Sequence, residues 1–132
     1  MSSKNTLAIQ AAALDKKYEI PFNGKYSWLY AGEAAIAFIT SVNKDLTGSH
    51  VFNLNGSCET IEYGLSLIKE LSKEANISCV DKSFPFPPDL DDLPLRNHIG
   101  DYPSISVKKG IENTFRAFEI LKSEGRCPSF SE

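Results

Sequence analysis

Tyr26, Trp28 and Tyr30 alternate along the run YSWLY, and an extended backbone turns alternate side chains to one face. Two phenols and an indole side by side suit either a filled core or a platform whose polar tips hold a ligand. Core packing is the simpler of the two. Arg96 is a lone cation beside the aromatic and proline-rich stretch SFPFPPDLDDLPL. A guanidinium there suits a phosphate or a carboxylate, although a surface ion pair explains it with fewer assumptions. Asp89, Asp91 and Asp92 bring closely spaced carboxylates that can serve as hard oxygen ligands. They follow no EF-hand pattern, and a solvated turn with helix-capping acids is the preferred reading. His50 sits in an apolar run and His98 in LRNHIG, without Cys or Ser at a familiar motif spacing. Both read as structural or solvated. Tyr26, Trp28 and Arg96 are therefore the candidate substrate contacts, and no catalytic, cofactor-binding or metal-ligating residue is assigned.

Other chemistries are excluded by pattern. The eight glycines never form G-x-G-x-x-G or G-x-x-x-x-G-K, so no loop that cradles phosphates is present. Cys58, Cys79 and Cys127 are odd in number and far apart, which argues against a disulfide framework or a zinc site. A net charge of −3 with thinly spread Lys and Arg gives no footprint for nucleic acid. MSSKNTLAIQ lacks the pattern of a secretory leader, and no apolar run reaches the roughly 20 residues that span a bilayer. A cytoplasmic protein with neither a nucleic-acid nor a membrane partner is expected. Its 132 residues allow one domain, residues 1–132, with a single core.

The elements that would position these residues follow from periodicity and caps. Ser3 or Asn5 can open a helix with Leu7, Ala11 and Leu14 on one face and Lys16 and Lys17 at its end. YEIPF and YSWLY read as extended segments joined by a tight turn at Asn23-Gly24. A helix follows from Glu33 to Val42. HVFNLNG reads as a strand that ends at Gly56, with Ser57 capping a helix whose stripe is Ile61, Leu65, Ile68 and Leu71. Glu59 and Glu62 fall in its first turns, where the helix dipole favours acids. ISCV is a short strand, and the stretch SFPFPPDLDDLPL, with four of the seven prolines, is a connector that cannot be a long helix. Ser106 caps the clearest helix, with Val107, Ile111, Phe115, Phe118 and Leu121 on one face and Gly125 as its stop. The class is mixed α/β, with helices and short strands in alternation.

The helix from Glu33 to Val42 is apolar on every side except at Glu33, a pattern that belongs to a buried helix. The serial order AIQAAALDKKYEIPF, YSWLYAGEAAIAF, HVFNLNG, PFPPDLDD and SVKKGIENTFRAFEIL resembles the C-terminal part of the extended short-chain dehydrogenase/reductase family, the NAD-dependent epimerases and dehydratases of sugars and sugar acids. The resemblance runs from about Asn5 to Arg126. It implies a truncated α/β domain, the substrate-binding lobe plus the last helix and strand on the Rossmann side, with the apolar helix lying between two lobes. The family's glycine-rich loop and Tyr-x-x-x-Lys pair have no counterpart, since none of the five tyrosines has a lysine four residues later. Glu33 stands where the family usually has Asp. Tyr26 and Trp28 lie near where the family often has an arginine and a tyrosine that hold a diphosphate.

The resemblance thus implies NAD or NADP for a complete enzyme and no cofactor bound by this chain alone. It also implies a small sugar-like ligand, and either a separately encoded nucleotide-binding half or self-association. A non-enzymatic binding or interaction module reusing the fold is the alternative.

Overall fold

The computed structural model describes residues 3–45 and 47–130. In chain order the elements are α1 (Lys4–Ala13), β1 (Tyr18–Ile20), β2 (Lys25–Trp28), α2 (Ala31–Val42), β3 (Ser57–Thr60), α3 (Ile61–Leu71), β4 (Ile77–Cys79), α4 (Leu93–Ile99) and α5 (Val107–Ser123). The mixed α/β class is the one expected.

The main core is made where α1, α3 and α5 pack together against the β1–β4 pair. Each helix brings a matching apolar set: Leu7, Ala8 and Ile9 from α1, Ile61, Leu65 and Ile68 from α3, and Val107, Ile111 and Phe115 from α5. The last two sets follow the 3.6-residue period read from the sequence. Leu71, the end of the α3 stripe, is exposed. Capping is as local chemistry demands at α5, where Ser106 Oγ accepts the Lys109 N–H. The helix stops before Gly125, which adopts φ +66°, a left-handed conformation that glycine takes without a Cβ clash. A smaller apolar cluster of Ala37, Leu95, Ile99 and Tyr102, flanked by Phe52 and Leu54, joins α2 to α4.

Tertiary pairing departs from the sequence expectation in two places. The turn at Gly24 exists, with φ +82°, but the segments it joins do not pair with each other. β1 runs parallel to β4, with Tyr18 opposite Ile77, while β2 runs antiparallel to β3, with Trp28 opposite Ser57. The second departure is the strand expected over HVFNLNG. Residues 51–56 are irregular, and the strand is Ser57–Thr60. Thr60 rather than Ser57 then caps α3, its Oγ1 accepting the Tyr63 N–H at 3.1 Å, and Glu59 lies in the strand instead of the helix. The cause is close approach: a Cβ at Gly56 would sit 2.2 Å from the Trp28 carbonyl oxygen, so glycine lets the chain cross the end of β2 before pairing begins.

Boundaries shift for similar reasons. α1 is bounded by Ser3, whose side chain makes no cap bond, and ends before Lys16 and Lys17. α2 begins at Ala31, two residues before Glu33. The proline-rich connector is irregular through residue 92 and then forms the short helix α4, with Pro94 in its first turn, where a missing N–H costs no hydrogen bond. No helix among the described residues is long and apolar enough to cross a membrane.

Candidate functional site

A cavity of about 350 Å³ opens where the N-terminal ends of α1, α2 and α5 meet strand β2. Tyr26, Trp28 and Tyr30 contribute to its walls, together with Asn5, Ile9 and Ile111. Two of the three predicted contacts, Tyr26 and Trp28, are therefore brought together.

Local packing holds each aromatic side chain in place. Trp28 is buried and its indole N–H donates to the Glu59 carbonyl at 3.3 Å. Its ring lies so close to α3 that a Cβ at Gly64 would be 2.1 Å from Trp28 Cζ2. Tyr26 stacks on Phe22 at 5.5 Å and meets Phe84 edge-on at 4.9 Å, geometries that suit the ring quadrupoles. Tyr30 precedes α2, and glycines on two helices make room for it: a Cβ at Gly32 would lie 2.6 Å from Tyr30 Cε1, and one at Gly110 would lie 3.3 Å from Tyr30 Cβ.

Two polar groups that sequence reasoning did not assign to the site complete the surroundings. Glu33 is only 1% exposed, and its Oε2 accepts the Ile105 backbone N–H at 3.0 Å. The one acid of an apolar helix thereby ties α2 to the segment that leads into α5. Asn5 is 5% exposed, and neither Nδ2 nor Oδ1 has a hydrogen-bond partner. Its only sequence signal was a place near a helix start, which suggested a cap; the cap position is taken by Ser3.

Arg96 lies elsewhere, on α4. Its guanidinium pairs with Asp92 at 3.0 Å, donates to the Tyr102 carbonyl at 3.2 Å and lies 4.1 Å from the Tyr102 ring centre. Tyr102 Oη in turn donates to the same Asp92 oxygen at 3.1 Å. The Asp92 hydrogen bond raises the Arg96 pKa above its ordinary value. Burial, then the bond to Asp92, raises that of the Tyr102 phenol. This closed cluster occupies the donors of Arg96 in holding the connector to α4, and Arg96 is not among the cavity walls.

The remaining candidates are placed as follows. Asp91 Oδ1 accepts the Leu93 N–H at 2.9 Å, a helix-capping role. Among the described residues no group of three or more His, Cys, Asp or Glu is placed to hold a metal ion. His50 and His98 have ring centres 5.3 Å apart and both lie against Phe52. His50 also lines a separate apolar crevice between α2 and α4. The three cysteines are free thiols, and burial, the largest cause, raises the Cys79 pKa, which works against thiolate chemistry.

No family model matches the chain, and no curated protein matches it. Solved structures do share the fold. A partial-consensus L-threonine 3-dehydrogenase is similar at 16% identity and TM-score 0.75, over 89% of this chain and 41% of that one. UDP-glucuronic acid 4-epimerase from Bacillus cereus, solved with UDP-glucuronic acid and NAD, is similar at 17% identity and TM-score 0.75, over 91% and 40%. An NAD-dependent NDP-hexosamine 5,6-dehydratase of tunicamycin biosynthesis is similar at 16% identity and TM-score 0.65, over 99% and 43%. The chain thus spans about two fifths of the length of the proteins whose fold it shares.

Proposed function

We propose that this chain is a C-terminal substrate-side lobe of the sugar epimerase/dehydratase type, inactive alone, working in the cytoplasm with a separately encoded nucleotide-binding half. The observation that carries this reading is the unfinished face of α2. Phe38, Ile39 and Val42 are 68%, 62% and 84% exposed, and a contiguous apolar surface of this kind marks an interface. The chain's partial coverage of the longer proteins that share its fold supports the same view, because it leaves room for a second body on this face. In this reading Tyr26 and Trp28 face a small sugar-like ligand, while Arg96 serves the fold.

NAD or NADP belongs to the partner. The cavity walls carry no cation for a pyrophosphate, and its glycines Gly32 and Gly110 are packed against Tyr30 rather than opening a backbone cradle. The dinucleotide does not fit these residues, and hydride chemistry needs its nicotinamide bound and positioned. Calorimetric titration of the isolated chain with NAD and with NADP tests the reading: no heat of binding is expected, and saturable binding would contradict it. Sedimentation of the pure chain then separates the occupants of the α2 face. A monomer that becomes a heterodimer with an encoded nucleotide-binding half supports the proposal, while a tight homodimer assigns the face to a second copy.

A non-enzymatic small-molecule-binding module is favoured by a different observation, that the aromatic cavity is walled by this chain's own residues. Turnover that stays absent after pairing with a nucleotide-binding half would select this second reading.

A further inference from the structure

His50 and His98 are the only histidines of the chain, and the fold sets them side by side. One comes from the irregular segment after α2 and the other from the last turn of α4. Each ring has one nitrogen committed: His50 Nε2 lies 2.9 Å from the Thr47 carbonyl oxygen, and His98 Nδ1 lies 3.1 Å from that of Pro94. A carbonyl oxygen only accepts, so both of these nitrogens donate. Each neutral ring therefore keeps its lone pair on the other nitrogen, Nδ1 of His50 and Nε2 of His98. A metal-ligating imidazole is held in the same way, its second nitrogen donating to a backbone carbonyl that fixes tautomer and orientation.

Spacing and surroundings agree with this. The ring centres are 5.3 Å apart and the planes are tilted by 55°. Metal–nitrogen bonds of about 2.0–2.1 Å place the centres of two imidazoles that share one tetrahedral ion about 5 Å apart. Phe52 stacks on His50 at 5.9 Å and meets His98 at 4.7 Å, so an apolar ring restrains both ligands before an ion arrives. Both histidines are exposed, which leaves the remaining coordination positions to water.

We propose that His50 Nδ1 and His98 Nε2 together bind one divalent transition-metal ion, of the kind that favours imidazole: Zn²⁺, Ni²⁺ or Cu²⁺ rather than Mg²⁺ or Ca²⁺. With two protein ligands the ion is exchangeable. Its effect is a clip, because residues 47–56 form neither helix nor strand, and a bond from this segment to α4 closes a long loop in the folded state alone. The site stands apart from the aromatic cavity and does not rest on the lobe-pairing reading.

Long-range ¹H–¹⁵N spectra of the isolated chain contain just two imidazoles, so each ligand is read directly. Titration with Zn²⁺ shifts both along one common curve, and Mg²⁺ shifts neither. Zn²⁺ taken up by the free thiols leaves the imidazoles where they are. His50→Gln weakens the Zn²⁺ response of His98 at least about tenfold, and His98→Gln does the same to His50. Zn²⁺ also raises the thermal unfolding midpoint of the parent chain by more than that of either variant, since binding to the folded state alone stabilises it. Both side chains are exposed, so both variants retain the fold.

Separate midpoints for the two imidazoles, or no saturable shift with Zn²⁺, would overturn the proposal and leave the pair as aromatic packing around Phe52. So would a variant whose remaining histidine responds as it does in the parent, or equal thermal gains in all three chains. Neither NAD nor a partner is present in these measurements, so their failure leaves the lobe-pairing reading untouched.

Discussion

Helices α1 and α2 carry four alanines each and end in opposite surroundings. α1 (KNTLAIQAAA) buries every residue from Leu7 to Ala13, whereas α2 (AGEAAIAFITSV) buries only Glu33 and Ala37. Composition gives α2 the better claim to a buried place, yet burial went to the helix that has partners. α1 lies against α3, α5 and β1, three elements with apolar faces of their own, while α2 meets α4, a helix of seven residues. An apolar surface leaves water only where another apolar surface is available to receive it. Covering Phe38 and Ile39 would stabilise a complex by about 1.5–3 kcal/mol for each, which is why the α2 face is the place to look for a partner.

The contrast can be broken most forcefully on the buried side. Ala8 in α1 has no exposed surface, and Ala8→Asp would strand an unpaired charge in the core. A loss of about 3–5 kcal/mol is expected, visible in urea as a collapse of the cooperative transition. Glu33 marks where α2 does take part in the fold. Glu33→Ala removes the acceptor of the Ile105 N–H and leaves a void, costing about 2–4 kcal/mol. Glu33→Gln, which keeps an acceptor oxygen, should recover most of that loss in the same measurement.

Smaller effects test how tightly the aromatic wall and the α4 cluster are set. Gly64→Ala drives a methyl group into the Trp28 ring, with an expected cost of about 1–3 kcal/mol and a change in Trp28 emission. The raised pKa of Tyr102 has a pH signature. The folded state holds that proton more tightly than the unfolded chain, so the stabilisation is complete below about pH 10 and is lost as pH rises through the folded pKa. Thermal melts should show this decline, and Tyr102→Phe should remove its contribution. The smallest effect sharpens the contrast most. Phe38→Asp on the exposed face should change the unfolding free energy of the monomer by no more than about 0.5 kcal/mol while abolishing association in sedimentation.

Legibility in the sequence varied with the range of the interactions concerned. Trp28 and Tyr26 were recognisable as neighbours because alternation along a strand is a local property. Asn5 was not recognisable as a cavity residue, because its unpaired state depends on α5 and β2 closing around it. Arg96 could be read as a ligand-binding cation or an ion pair, and the choice was made by Asp92 one helical turn away together with Tyr102 beyond the helix end.

The amino-acid sequence by itself determined the α3 stripe of Ile61, Leu65 and Ile68, the Ser106 cap, the stop at Gly125 and the conflict posed by an apolar α2. Each of these is set by residues within a few positions of one another, where propensity, capping and periodicity act. Tertiary structure alone decided that Tyr18 pairs with Ile77 and Trp28 with Ser57, that Gly56 precedes a strand instead of ending one, and that α1 rather than α2 fills the core. Strand pairing and burial are contests between distant segments for the same hydrogen bonds and the same apolar surface, and their outcome depends on every competitor in the chain at once.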